Sequence, residues 1–427
     1  IIDMAPTATS TSPRRQDSTL SYSEPLSKKA QAPVLEEFDA VFNPSKIVET
    51  EADKTYPFPD LKPSFPTDIT TPTYEPIYNI VDRGSFADPE YTNLRAASRW
   101  QNLAVNLGTE LYPLPGQSLQ LHELNTAQLD ELALLVAERS VVVLRNQKIT
   151  PEELVKFGAY FGAKERPLHQ HPSSGVPRRR GLDNIHVVWH DENMKPSDAA
   201  FTSTELWHCD MSQEINSLGL TALYNITNPV NGGGDTLFSS GYGLYDALSP
   251  AMQKYLESLT ALHSGVDQAN GAAKSGIHLR RSPVESIHPI VRTHPVTGWK
   301  SIYLNPAFTK CIVGVPKIES DRILGMLYDL MATHPALNLR IRWETNTVVL
   351  WDNRIVNHSA TYDHYRPDAS CRRHALRVSS TAEIPSLTLP NGQPGRSRKE
   401  QIWQEQGLDV EAMRAIGQAA KKGGFKD

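Results

Sequence analysis

Short apolar runs recur between Val141 and Ser380 without the alternating helices that parallel crossovers require, and this most narrows the folds open to the chain. Strand character is expected at 141–145, 184–190, 220–227, 235–240, 288–293, 300–304, 338–343, 346–351 and 374–380. Helical spacing of apolar residues is confined to a few segments. Thr126–Ser140 carries Leu and Ala at helical intervals, with Thr126 as the expected N-cap. Thr150–Gly162 begins with a Thr cap, a proline at the first helical position and acids in the first turn. Further helices are expected at 249–263, 318–333 and, late in the chain, Lys399–Lys421. No glycine-rich nucleotide loop accompanies the strands. The pattern argues against a doubly wound sheet and predicts a mainly β fold with flanking helices, closed as a barrel or folded as a double sheet.

The rest of the chain is arranged around that block. Of 31 prolines in 427 residues, 12 fall within the first 90. Residues 1–35 are rich in Ser, Thr and Pro without an apolar period, so they are expected to be disordered. Over residues 36–97 prolines alternate with Tyr56, Phe58, Phe65, Tyr74 and Tyr78, the composition of an extended arm that wraps another surface. Residues 98–385 form the patterned domain, and 386–427 a polar tail with one helix. Ile1–Asp3 read as a remnant ahead of Met4, and no secretory signal is expected.

Net charge excludes some partners. Lys and Arg number 43 against 48 Asp and Glu, a balance of −5 that disfavours a basic nucleic-acid surface. No apolar run approaches the roughly 18 residues of a membrane-spanning helix. Cys209, Cys311 and Cys371 are too few and too scattered for a disulfide framework or a four-thiolate zinc site. A cytoplasmic protein is expected, with homo-oligomerisation left open.

Chemistry concentrates in a few motifs. In Trp207-His208-Cys209-Asp210 an imidazole and a carboxylate stand two residues apart, so on extended chain both reach one ion from one face. A lone pair of this kind is weak evidence. Trp351-Asp352-Asn353-Arg354-Ile355-Val356-Asn357-His358 follows an apolar strand, and Arg372-Arg373-His374-Ala375-Leu376-Arg377 enters another. Two His and one carboxylate leave half of an octahedral iron(II) open, as oxygenases of this kind require. An arginine fork suits the far carboxylate of a dicarboxylate that chelates the metal with its other end.

Together with GGDTLFSSGYGLYDALSP, these motifs resemble the taurine/α-ketoglutarate dioxygenase family (TauD/TfdA) over about Leu107 to Glu383, in the expected order. The resemblance implies a double-stranded β-helix (jelly roll, cupin-like) and an Fe(II)- and 2-oxoglutarate-dependent enzyme that uses O₂. It implies His208, Asp210 and His358 as iron ligands, and Thr236 and Arg373 as the holders of the 2-oxoglutarate far carboxylate. Arg377 matches the position that meets the substrate's anionic group, and His171, within His169-Gln170-His171-Pro172, matches a sulfonate-bonding histidine. Thr204 stands where the taurine enzyme has an amine-binding Asn, Cys209 replaces a hydroxyl residue, and the segment from His358 to Arg373 is long and contains His364. The reaction implied is oxidation of a small anionic substrate, an alkyl sulfonate such as taurine. Hydroxylation next to sulfur releases sulfite and an aldehyde, with succinate and CO₂ as co-products.

Plainer readings stand beside these. His208 and Asp210 also suit a buried hydrogen bond, His364 competes with His358, and Thr236 suits a turn. Arg373 also suits a surface ion pair with Arg372 at work instead, although alternation groups Arg373, Ala375 and Arg377 on one face. His171 and Arg178-Arg179-Arg180 also suit solvated loops; the three arginines otherwise guide an anion inward. Ile341 and Trp343 line either the pocket or the core. Cys209 is an oxidation liability without a catalytic role. An alternative function on the same scaffold is hydroxylation, desaturation or cyclisation of an amino acid or other carboxylate in biosynthesis. A silent metal-binding scaffold leaves the retained ligands and arginines unexplained. A zinc hydrolase lacks a general base.

Overall fold

Seven strands make the larger sheet, in spatial order β1 (Ser98–Asn102), β2 (Thr109–Pro113), β3 (Val141–Leu144), β8 (Thr347–Asp352), β5 (Leu218–Thr227), β10 (Arg373–Thr381) and β4 (His186–His190). β2 and β3 run parallel and the other neighbours antiparallel. Three antiparallel strands make a smaller sheet, ordered β7 (Asn338–Ile341), β6 (Thr236–Ser240) and β9 (Val356–Ala360). The computed structural model describes residues 49–193, 206–274, 276–366 and 368–419. The segment expected to be disordered and the candidate Thr204 lie outside the described residues.

The two sheets enclose an inner core in which Val141, Val143, Val349, Trp351 and Ala375 from the larger sheet meet Phe238 and Ile341 from the smaller. The alternate residues of the same strands, among them Val142, Leu144, Val348, Leu350 and Leu376, point outward into a second core. Burial on both faces explains the unbroken apolar run of β3. Helices α1 (Thr126–Arg139) and α2 (Pro151–Tyr160) cover that outer core. Helices α3 (Pro250–Glu257) and α4 (Lys317–Thr333) enclose a third core beside the smaller sheet.

Four local expectations need correction. Asn125, not Thr126, caps α1: its side chain accepts from the Gln128 N–H while Gln128 accepts from the Asn125 N–H. The residue three on from Thr126 is Leu129, which cannot reciprocate. The expected helix 249–263 stops at Glu257, and Thr260–Ser264 is a strand between Glu285–Pro289 and Thr309–Ile312. Ladder pairing there outweighs helical spacing. The expected strand 288–293 divides, because Val291–Thr293 pairs instead with Lys300–Ile302. The single C-terminal helix is two, α5 (Arg398–Glu405) and α6 (Val410–Ala419). Gly407 adopts φ 72° after α5, and the N–H groups of Leu408 and Gly407 close back on the carbonyls of Trp403 and Gln404. That left-handed closure ends a helix and favours glycine.

Residues 49–97 run over the outside of the larger sheet. Tyr56 joins the outer core, edge-on to Trp189 at 5.5 Å, and its hydroxyl bridges Thr227 Oγ1 (2.8 Å) and His374 Nδ1 (2.7 Å). Asn216 holds both backbone groups of Ile77, and Arg83 forks onto Asp130 at 2.8 Å. Asp82 reaches Arg354 at 2.7 Å. These hydrogen bonds and ion pairs fix the arm, together with a two-residue antiparallel pairing of Pro63–Ser64 on Val176–Pro177.

Candidate active site

His208 and His358 form an isolated antiparallel bridge, each N–H donating to the other's carbonyl at 2.9 and 2.7 Å. The bridge sets the two rings side by side with centroids 4.2 Å apart. Asp210 Oδ1 stands 3.8 Å from His208 Nε2 and 3.9 Å from His358 Nε2. One donor atom from each of the three residues lies within 4.8 Å of the others. His208 Nδ1 donates to the Leu206 carbonyl at 2.9 Å, which turns its Nε2 lone pair toward the cluster. Asn353 clamps the Asp210 backbone from both sides, accepting from its N–H at 2.7 Å and donating to its carbonyl at 2.8 Å. Asn353 falls within the motif Trp351–His358, whose spacing alone assigns it no role.

Burial pushes the Asp210 carboxyl up, but Arg377 and the surrounding imidazoles outweigh it and hold it at about 2. Burial, reinforced by His208, depresses His358 to about 3. The cluster therefore offers a neutral imidazole beside a carboxylate, and Asp210 Oδ2 is buried without a partner. Two nitrogens and one carboxylate from one side of a site suit iron(II) with open positions. His364, the competing histidine, lies apart against the ring of His190, with His364 Nε2 and His190 Nδ1 3.2 Å apart.

Arg373 sits at the inner face of β10, 4% exposed. Among the described residues no carboxylate pairs with it, and its Nε has no hydrogen-bond partner. Asp235, the acid whose charge reaches it, binds Arg340 through Oδ2 at 2.7 Å and makes no ion pair with Arg373. Burial lowers the Arg373 guanidinium to about 10. A buried cation without an acid is costly and calls for an anion from outside the chain. Thr236 Oγ1 accepts from Trp343 Nε1 at 3.0 Å, so its own O–H is left to donate. Trp343 also lies under Arg373, 5.6 Å from its ring centre. Trp343 and Ile341 both belong to the inner core, and Trp343 lines this end of the site as well.

Gly234 explains why the turn before β6 is glycine-rich. It has φ 67°, and a Cβ there would stand 3.1 Å from Arg373 Cδ and 3.2 Å from His364 Nδ1. A side chain would push the turn off the guanidinium.

Four residues along β10, Arg377 donates to Asp210 Oδ1 at 2.7 Å. His171 is half-buried rather than solvated, and its Nδ1 accepts from the Ser173 N–H at 3.2 Å. Its burial and Arg377 depress the ring to about 3. His169, beside it in sequence, instead bonds Glu214 at 3.1 Å within a cluster completed by Arg281. Arg178, Arg179 and Arg180 are exposed, with Arg178 near Glu49 and Arg179 on Glu152. Cys209 is buried against Asn305 Nδ2 at 3.2 Å, and burial raises its thiol to about 12. That thiol is unreactive.

A site of this composition characterises the 2-oxoglutarate-dependent non-haem iron dioxygenases, which use Fe(II), 2-oxoglutarate and O₂. Residues 103–379 match the model of the taurine catabolism dioxygenase TauD, TfdA family, and the chain belongs to that family. A Schizosaccharomyces pombe protein named "Putative alpha-ketoglutarate-dependent sulfonate dioxygenase" is 42% identical over 335 residues, 78% of this chain and 81% of its own. The Saccharomyces cerevisiae alpha-ketoglutarate-dependent sulfonate dioxygenase is 36% identical over 335 residues, 77% of this chain and 78% of its own. The crystal structure of a taurine dioxygenase from Burkholderia xenovorans superposes with a TM-score of 0.56 at 27% identity, over 70% of this chain and 93% of its own. Among the described residues no helix is long and apolar enough to cross a membrane.

Proposed function

We propose that this protein is a 2-oxoglutarate-dependent dioxygenase of small sulfonates, built on a double-stranded β-helix spanning residues 98–385. The observation that carries the reading is the buried Arg373, without an ion pair among the described residues, at the start of a strand that four residues on places Arg377 against the His208–Asp210–His358 cluster. His208, Asp210 and His358 would hold the iron, and Arg373 with the Thr236 hydroxyl would hold the far carboxylate of 2-oxoglutarate. Bound iron and 2-oxoglutarate supply an oxidant made from O₂, with succinate and CO₂ as co-products. The chain's own task is placement. Arg377 and His171 anchor the substrate's anionic group so that its neighbouring C–H faces the metal. Hydroxylation at that carbon breaks the C–S bond and releases sulfite and an aldehyde. The sulfonate names of the two yeast relatives support this substrate class. Thr204 is proposed for the far end of the substrate. The three free cysteines suit the reducing cytoplasm.

The test is a panel of alkyl sulfonates, sulfate esters and amino acids, scored in parallel for substrate-dependent succinate and for sulfite. Sulfite equal to succinate with a sulfonate is the expected result. Succinate without sulfite across the panel overturns the sulfonate reading in favour of a carboxylate or amino-acid oxygenase. Anaerobic Fe(II) with 2-oxoglutarate should give a weak visible charge-transfer band that His208→Ala loses. Survival of the band in that variant would remove the iron assignment.

A further inference from the structure

β4 pairs with β10 in the register Arg373 with His190, Ala375 with Val188 and Arg377 with His186. Residues directly opposite on an antiparallel pair project to the same face. His186 is therefore the cross-strand neighbour of Arg377 on the face that carries both site arginines. Its ring also packs on that of His171, centroids 4.6 Å apart and 33° inclined. Three elements thus converge on one point: the His171 loop, β4 and β10.

Apart from the bond of Arg377 to Asp210, the groups at that point have no carboxylate hydrogen-bonded to them among the described residues. His186 Nδ1 is buried without a hydrogen-bond partner. His171 Nδ1 is engaged within its own loop, 2.8 Å from Ser173 Oγ, 3.2 Å from the Ser173 N–H and 3.3 Å from the Ser173 carbonyl, so Nε2 is the nitrogen left for a ligand. Arg280, 2% exposed, spends one nitrogen on the carbonyls of His171 (3.5 Å) and Asp183 (3.2 Å), while its Nε and Nη2 have no partner. The charges felt by His186 come from His171, Arg377, Arg280 and His169, none of them an acid. Glu214, the acid nearest His169, is occupied by His169 and Arg281.

We infer that His186 is a third anion-gripping residue, which with His171 and Arg377 forms a three-sided cradle for the oxygens of a sulfonate or sulfate group, Arg280 adding charge from behind. The inference rests on the proposed function and deepens it. Three donors from three elements match the three oxygens of a tetrahedral group, whereas a carboxylate offers two oxygens in one plane. The cradle adjoins Asp210, so the gripped group sits beside the metal cluster. His186 was invisible to sequence reasoning because the strand-pairing register alone brings it to Arg377.

The experiment compares wild type with His186→Phe, which keeps a ring against His171 and removes both nitrogens, and with His186→Gln, which restores an N–H. Matched propane sulfonate, sulfate and carboxylate are titrated into the anaerobic Fe(II)/2-oxoglutarate enzyme, read by the visible band, and KM and kcat are measured for any that turn over. In His186→Phe sulfonate and sulfate should bind about tenfold or more weakly, the loss expected for a hydrogen bond to a charged group. The KM for 2-oxoglutarate and the melting temperature should hold, carboxylate binding should change little, and His186→Gln should recover part of the loss. If His186→Phe does not fold, His186→Gln against wild type carries the comparison, with a smaller loss in the same direction expected. Unchanged sulfonate and sulfate binding in a folded variant overturns the role of His186 and leaves the proposed function standing. A wild type that binds only the carboxylate overturns the proposed function, and the cradle with it.

Discussion

Arg372 and Arg373 are adjacent in sequence and equally buried, 5% and 4% exposed, yet they live in opposite electrostatic worlds. Arg372 faces outward to Asp53 (3.2 Å) and Glu192 (3.4 Å), with its guanidinium over the rings of Tyr56 and Trp189. Arg373 faces inward, forms no ion pair among the described residues, and its Nε has no hydrogen-bond partner. The same contrast separates Arg354, which holds Asp82, Asp352 and Glu383, from Arg280, which hydrogen-bonds two carbonyls and forms no ion pair among the described residues. Charges that hold the fold together are neutralised by the chain itself. Arg373 and Arg280, the charges proposed to serve a ligand, form no ion pair among the described residues, whereas Arg377 keeps Asp210, and a buried cation left short of an acid is costly unless a ligand makes the deficit good.

Substitutions test that contrast. Arg373→Leu should produce the largest effect, raising KM for 2-oxoglutarate by a hundredfold or more, about 3 kcal/mol for a charge-assisted pair. Its chemical denaturation midpoint should hold or rise, because an unpaired buried charge is removed. Arg372→Leu should do the reverse. It takes a cation from Glu192 and one of two from Asp53, which keeps Lys62 at 3.1 Å, and should cost about 1–3 kcal/mol of stability with KM unchanged. A variant that shifts both readouts alike would dissolve the distinction between the two faces.

Tyr56→Phe removes the hydroxyl between Thr227 and His374 and should cost about 1–2 kcal/mol, seen as faster proteolysis within residues 49–97. The remaining test is in pH. His374 is buried and held at about 3, chiefly by burial, with Nδ1 near the Tyr56 hydroxyl and Nε2 2.8 Å from the Leu61 carbonyl. Between pH 6.5 and about 3 the unfolded ring takes a proton that the folded ring refuses, so stability falls as pH falls, by about 1.4 kcal/mol per unit for one group. His374→Gln should make the acid limb of a denaturation profile shallower by that amount. An unchanged slope would show that His374 is protonated in the folded state.

Much of the site was legible from local pattern. The two-residue spacing of His208 and Asp210, and the alternation that groups Arg373 with Arg377 and turns Arg372 away, both follow from the period of extended chain. The capping signals of α2 worked for the same reason, since Thr150 and Glu153 reach each other across one turn. Where local signals competed, pattern failed. Asn125 and Thr126 are both good caps, and only Gln128 decides between them. Thr260–Ser264 has helical spacing but finds two strand partners.

What the sequence determined by itself was the donor set and its order along the chain, because side-chain chemistry and strand period are local properties. What only the tertiary structure decided was which donors end up without partners. The bridge between His208 and His358 spans 150 residues, the Asn353 clamp on Asp210 spans 143, and the register that sets His186 beside Arg377 joins strands almost 200 residues apart. An unpaired guanidinium is a statement about every acid in the fold, and no stretch of chain contains that information until the sheets have closed around it.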